Sequence, residues 1–271
     1  MSRKSPTATL DALARNVLPT RWYELVRYFR RPDKTTILYG DIKYNEDSMV
    51  IADRSVEFMN EPLFKEAYEI GKRAGAWGAI AERFDMHWRV YVACWAAKRS
   101  VSLEGDFVEC GVNRGWFSRS IIHYVDFAQL PKTFYLLDTY NGIFEDYLTD
   151  TERERGLTNE YLLYEDCYEA VVETFRPFSN VKIVRGPVPD TLPQVRTEKV
   201  SYLSIDMNNV TPEIAAAEYF WDKLVSGAVM LLDDYGFDKH IEQKRGFDDF
   251  AARKGVQVLY LPTGQGLVFK P

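Results

Sequence analysis

The chain has 271 residues, 46% of them hydrophobic and 27% charged, with a net charge of −6. This composition excludes a mainly disordered chain, and no window reaches the roughly 18 apolar residues of a membrane span. Cys94, Cys110 and Cys167 are odd in number and far apart, so neither a disulfide framework nor a zinc knuckle is expected.

The charge is unevenly spread. Residues 1–34 carry eight Lys/Arg against three Asp/Glu, whereas the rest of the chain carries 26 against 37. An acidic body is a poor electrostatic partner for nucleic acid, and none is expected. The basic arm interleaves Trp22, Tyr23, Leu25, Val26, Tyr28 and Phe29 with Arg21, Arg27, Arg30 and Arg31. Its expected role is a short helix packed on its own domain or on a second subunit as a homodimer contact, rather than a membrane anchor. The N-terminus lacks the apolar block and cleavage site of a secretory signal, so a reducing, cytoplasmic setting is expected.

From about Phe64 to Leu103 the pattern is helical, with Val90, Ala93, Cys94 and Ala97 forming an inward face. Residues 1–104 therefore read as a mostly helical cap or dimerisation region, and 105–271 as a second domain. In that domain, β-rich runs at 106–110, 133–137, 181–184, 200–205 and 228–232 alternate with helix-length segments. Such alternation predicts an α/β, Rossmann-like, doubly wound parallel sheet covered on both faces. One connecting helix is expected to start with Thr211 as N-cap and Pro212 at its first position, and to bury Ile214, Ala217, Phe220, Trp221 and Leu224. Another is expected over Ile241 to Lys254, burying Phe247 and Phe250 and stopped by Gly255. Residues 256–262 and 267–270, joined by Thr263-Gly264-Gln265-Gly266, read as a terminal antiparallel hairpin.

Three motifs fall at strand ends. In VECGVNRGWFSRSII (108–122), Gly111 turns the chain and Gly115 opens a helix, letting a ligand approach the backbone. Glu109 stands where it would repel phosphate and attract an ammonium group. In LLDTYNGI (136–143), Asp138 is placed to accept hydrogen bonds from ribose hydroxyls, and the two motifs together favour an adenosine-bearing ligand. Asp206 closes one strand and Asp233-Asp234 another. On adjacent parallel strands these three carboxylates would meet and repel unless bridged, and such hard oxygen ligands suit Mg²⁺ or another divalent cation.

With these residues in place, 105–270 resembles class I S-adenosylmethionine-dependent methyltransferases. It looks most like the macrocin O-methyltransferase family, which acts on sugar hydroxyls of macrolides. The resemblance is carried by GDFVECGVNRG, LLDTYNGI, RGPVPDTLP (185–193), LSIDMN (203–208) and LLDDYG (231–236). It implies a seven-stranded sheet ending in an antiparallel hairpin. It also implies S-adenosylmethionine bound by Glu109, Gly111 and Gly115 along its methionine side, with Asp138 on the ribose. A divalent metal would map onto Asp206, Asp233 and Asp234, and the expected activity is metal-assisted O-methylation of a small-molecule hydroxyl on a sugar or glycosylated secondary metabolite. The chain departs from the family's Asp-Gly-Asp at Asp206-Met207-Asn208, and Asn209 stands where catechol-type enzymes have a lysine base.

For such a reaction the hydroxyl proton would pass to Asp206 or to His240, while His123 reads as structural and His87 as packing. Arg114, Tyr140, Tyr235 and Gln265 lie beside the predicted site loops. A non-catalytic S-adenosylmethionine-binding protein and a nicotinamide-dependent oxidoreductase remain the other classes, the latter opposed by the missing third glycine and the terminal hairpin.

Overall fold

A computed structural model describes residues 41–75, 84–157 and 164–271. The basic arm, and the roles expected of it, lie outside the described residues. Compact packing divides the chain at Ile42/Lys43, and the described elements lie in the Lys43–Pro271 unit but for one terminal strand residue, Ile42. Among the described residues, no helix is long and apolar enough to cross a membrane.

A small two-stranded sheet, β1 (Ile42–Glu46) and β2 (Met49–Ala52), comes first. Its turn residues Asp47 and Ser48 both take left-handed backbone angles. Helices α1 (Pro62–Gly75) and α2 (His87–Ser100) follow. Val90, Ala93, Cys94 and Ala97 are all fully buried on α2, as their spacing predicts.

The main sheet begins with β3 (Asp106–Cys110), α3 (Trp116–Tyr124) and β4 (Phe134–Asp138). The short α4 (Asp150–Glu154), α5 (Tyr168–Phe175) and β5 (Val181–Arg185) complete one half. The other half is β6 (Val200–Ile205), α6 (Val210–Trp221), β7 (Leu224–Leu232), α7 (Ile241–Lys254), β8 (Leu259–Tyr260) and β9 (Gly266–Phe269). The seven strands run in the order β5-β4-β3-β6-β7-β9-β8, parallel except for β9, which inserts antiparallel between β7 and β8. This is the expected Rossmann-like sheet with its terminal hairpin.

Strand alternation assigns side chains to two cores. Phe107, Phe134 and Tyr202 face α2 and α3, where they meet Cys94, Ile121 and Phe127. Val108, Leu203 and Ile205 face α6 and α7, where they meet Ala217, Phe220, Phe247 and Phe250. Burying such aromatic and branched side chains on both faces contributes on the order of 1.5–3 kcal/mol per residue, which is why the strands need no polar alternation.

Two boundaries differ from the sequence reading. Helix α6 starts at Val210 with Asn209 as its N-cap, two residues ahead of Thr211. The Val210 N–H is taken by the Glu152 carboxylate at 2.8 Å, and Pro212 still falls in the first turn, where a missing N–H costs nothing. Leu224 does not close the α6 stripe but opens β7, which extends four residues upstream of Ala228.

The strand order reverses between β3 and β6, and there the two strand ends touch. The Asp206 N–H donates to the Cys110 carbonyl at 2.8 Å, and the Gly111 N–H to the Leu137 carbonyl at 2.9 Å. Gly111 has φ +88°, and a Cβ there would sit 1.8 Å from the Asp206 carbonyl oxygen. Gly111→Ala is therefore expected to lower the unfolding free energy by about 2–4 kcal/mol, from the left-handed backbone and the backbone clash together, as read by urea denaturation.

Candidate active site

The carboxyl ends of β3, β4, β6 and β7 form one edge, and three clefts open along it. The first, of about 710 Å³, lies between the loops after β3, β4, β5 and β6, lined by Gly111, Asp138, Tyr140, Ile143, Cys167 and Asp206 among others. The second, of about 770 Å³, carries Glu109, Gly111, Asn113, Arg114, Asp206 and Asp233. The third is wider, about 1490 Å³, and is lined by Arg89, Arg155, Asn208, Asp234, Phe237 and His240. Gly111 and Asp206 wall the first two, whereas Arg89 and Asp234 wall the last two.

Asp138 holds the first loop in shape. Its carboxylate accepts the backbone N–H groups of Val112 at 2.6 Å, Asn113 at 2.7 Å and Tyr140 at 2.6 Å. Burial raises its pKa against the pull of those donors. Gly115 supplies the left-handed N-cap of α3 and packs on the Phe175 ring, and it lines neither the first nor the second cleft. Glu109 is almost fully buried on β3 and accepts a hydrogen bond from the Ser118 hydroxyl at 2.7 Å. Burial pushes its carboxyl up to about 8, with Asp138 and Asp233 adding to the effect and Ser118 opposing it.

Parallel pairing of β6 with β7, in the register Ile205↔Leu232, brings Asp206 beside Asp233 and Asp234. One oxygen from each lies within 4.8 Å of the others. Burial, then Asp233 and Asp234, push Asp206 well above the usual carboxylate range, while Arg89 works against them. Burial also raises Asp234, with His240 and Arg89 opposing and Asp233 adding. Asp233 is satisfied on both sides, Oδ1 by the Gln265 amide at 2.8 Å and Oδ2 by the Arg89 guanidinium at 2.5 Å. Asp234 Oδ2, by contrast, is buried with no hydrogen-bond partner. Three converging carboxylates with one such open oxygen are a donor set that fits a hard divalent cation.

His240 sits at the N-cap of α7, its Nε2 3.9 Å from Asp234 Oδ1 and its Nδ1 2.7 Å from the Gln243 amide. His123 lies 3.4 Å from Glu66, and the His87 ring stacks on Tyr68 with centroids 3.7 Å apart. Of the four residues flanking the loops, Gln265 fixes Asp233 and Arg114 lines the second cleft. Tyr140 donates to the Leu136 carbonyl, and Tyr235 is buried and bonded to Asp248. Asn208 takes a left-handed backbone and donates to the Tyr164 hydroxyl at 3.0 Å.

Sequence reasoning missed four residues. Arg89 and Asp47 come from elements distant in sequence, with no motif around them. Tyr164 stands between the first two clefts without a flanking signal. Glu213 is buried on α6, accepts the Met207 N–H at 3.1 Å and is a further carboxyl whose pKa burial raises well above normal.

Asp138→Ala leaves three loop N–H groups without their acceptor and is expected to cost about 2–3 kcal/mol in denaturant unfolding, with faster hydrogen exchange at Val112 and Asn113.

The macrocin O-methyltransferase (TylF) family matches residues 89–259, well over half of the chain. No curated protein sequence is significantly similar to it. Among solved structures, the O-methyltransferase NovP is similar with a TM-score of 0.61 and 19% identity, covering 79% of this chain and 97% of that one. CalS11, a calicheamicin methyltransferase, is similar with a TM-score of 0.53 and 14% identity, covering 86% and 99%. At these identities the likeness speaks for the fold. The family match, the seven-stranded sheet and the motifs at its switch point agree: the chain belongs to the macrocin O-methyltransferase family of class I S-adenosylmethionine-dependent O-methyltransferases.

Proposed function

We propose that this enzyme methylates a hydroxyl of a sugar or glycosylated secondary metabolite, assisted by a divalent cation held by Asp206, Asp233 and Asp234. The observation that carries the reading is the position of the acidic cluster, which is the common wall between the two inner clefts and the wide outer one. When bound, the cofactor supplies a sulfonium-activated methyl group and the cation supplies a Lewis acid for the acceptor hydroxyl.

The chain's own residues position and deprotonate. Gly111 lets the inner clefts run together past the β3 end, and Glu109 faces the second cleft as the partner of an ammonium group. Asp138, beside the first cleft, takes the ribose end while keeping the loop ordered. The outer cleft, the widest of the three, is open enough for a glycosylated acceptor. The acceptor proton goes to Asp206 or to His240 Nε2. The His240 ring is fixed from its far side by Gln243.

Calorimetry and turnover test the reading. S-adenosylmethionine should bind and NAD should not, and a panel of glycosides with Mg²⁺ should yield a 14-dalton gain by mass spectrometry. Asp206→Asn and Asp234→Asn should each reduce turnover at least about 100-fold while leaving S-adenosylhomocysteine affinity within a few-fold. NAD binding without S-adenosylmethionine binding would sink the methyltransferase site, and binding without turnover on any hydroxyl would indicate a non-catalytic cofactor-binding protein.

The Glu109 assignment has its own pH signature. With its carboxyl at about 8 in the free protein, Glu109 is mostly protonated at pH 7. An ammonium partner favours the carboxylate, so cofactor binding at pH 7 should release close to one proton, and affinity should rise with pH up to about 8. Titrations in buffers of different ionisation enthalpy read the proton directly, and Glu109→Gln should abolish the release.

A further inference from the structure

Arg89 is the one cation hydrogen-bonded to the acidic cluster among the described residues, and it is held in an unusual way. It projects from the first turn of α2, its side chain only 14% exposed, with the Phe237 ring 5.7 Å from its guanidinium carbon. Its Nε and Nη2 form a two-pronged pair with Asp47, at 2.7 and 3.0 Å, while Nη1 alone reaches Asp233 Oδ2 at 2.5 Å. Asp47 belongs to the turn of the β1–β2 hairpin, and its side chain is 9% exposed. The planar fork of the guanidinium therefore spends its two-pronged edge on the hairpin and one N–H on the cluster.

Charge bookkeeping gives this arrangement a consequence. Arg89 orients Asp233 through a hydrogen bond, as outer partners of metal ligands do, but a positive charge at that point also opposes a dication. Asp47 carries the compensating negative charge at bonding distance. The Arg89–Asp47 pair is neutral as a unit, so Asp233 is oriented without a net positive charge being set beside the cluster.

We propose that Asp47 and Arg89 form a positioning pair that sets the cation affinity of the Asp206–Asp233–Asp234 cluster, the hairpin turn cancelling the charge of the arginine that orients Asp233. The proposal rests on the metal reading of the cluster. It concerns residues that do not themselves touch the cation, and it predicts changes of opposite sign for two members of one ion pair.

The test is calorimetric titration of the full-length protein with Mn²⁺ or Mg²⁺ alone, with folding followed by circular dichroism and thermal unfolding. Arg89→Met removes a positive charge and should tighten cation binding, whereas Asp47→Asn leaves that charge uncompensated and should loosen it, each by roughly tenfold or more. The double variant should return to within about threefold of the wild type, and Arg89→Lys, which keeps the charge, should stay near it. A purely structural pair would loosen binding in both single variants, and that result, or no change in either, overturns the proposal. Should Arg89→Met fail to fold, loosening by Asp47→Asn with wild-type affinity in Arg89→Lys still supports it, and unchanged affinity in Asp47→Asn overturns it. A wild-type protein that binds neither cation removes the metal reading and the pair's role with it. Binding that is present but indifferent to the variants removes only the latter.

Discussion

The architecture of this enzyme is organised around the burial of carboxylates at one edge of a parallel sheet. Parallel strands in register end at nearly the same level, so acidic residues at neighbouring ends cannot avoid one another. Water is largely excluded there, and each carboxylate must find its own compensation. Asp138 finds three backbone N–H groups, Glu213 finds the amide after Asp206, and Glu152 caps both its own helix and the start of α6. Asp233 is clamped between an amide and a guanidinium. The remaining oxygen, Asp234 Oδ2, has no such partner. The contrast between carboxylates that build loops and one that is left open separates framework from chemistry at this edge.

The same accounting explains why the helices before β3 belong to the site. The sheet and its crossovers supply all of the acidic groups, but the basic group bonded to Asp233 arrives from α2. That helix is held on the sheet by an apolar face with no exposed gap, so Arg89 is placed by the packing of Val90, Ala93, Cys94 and Ala97 rather than by local preference. Its reach across the strand ends brings the β1–β2 turn with it through Asp47. Functional geometry here depends on a hydrophobic interface that begins at the neighbouring residue and runs two turns along the helix from the charged group it aims.

The departures from the family's Asp-Gly-Asp pattern also have a structural counterpart. Met207 and Asn208 follow Asp206 through a left-handed backbone, and the Asn208 amide is bonded to Tyr164. An amide in place of a carboxylate avoids a further negative charge beside three others, and it gives Tyr164 a hydrogen-bond donor at the junction of the inner clefts. Asn209, instead of offering a base, is buried as the N-cap of α6.

Much of this was determined by the sequence alone, because its signals were local. Continuous apolar runs marked β3 and β6 to the residue, and Gly255 marked the end of α7, since burial on two faces and a left-handed cap each leave a pattern that needs no partner. The meeting of Asp206 with Asp233 and Asp234 was also legible, as parallel neighbours have few registers that bury both. Other features belonged to the tertiary structure. The early start of α6 came from the Glu152 carboxylate, 58 positions away, and the loop-holding duty of Asp138 came from N–H groups on another loop. Arg89 and Asp47 lie 42 positions apart, and Arg89 and Asp233 lie 144 apart. An ion pair of that kind depends on distance through space, and no spacing along the chain encodes it.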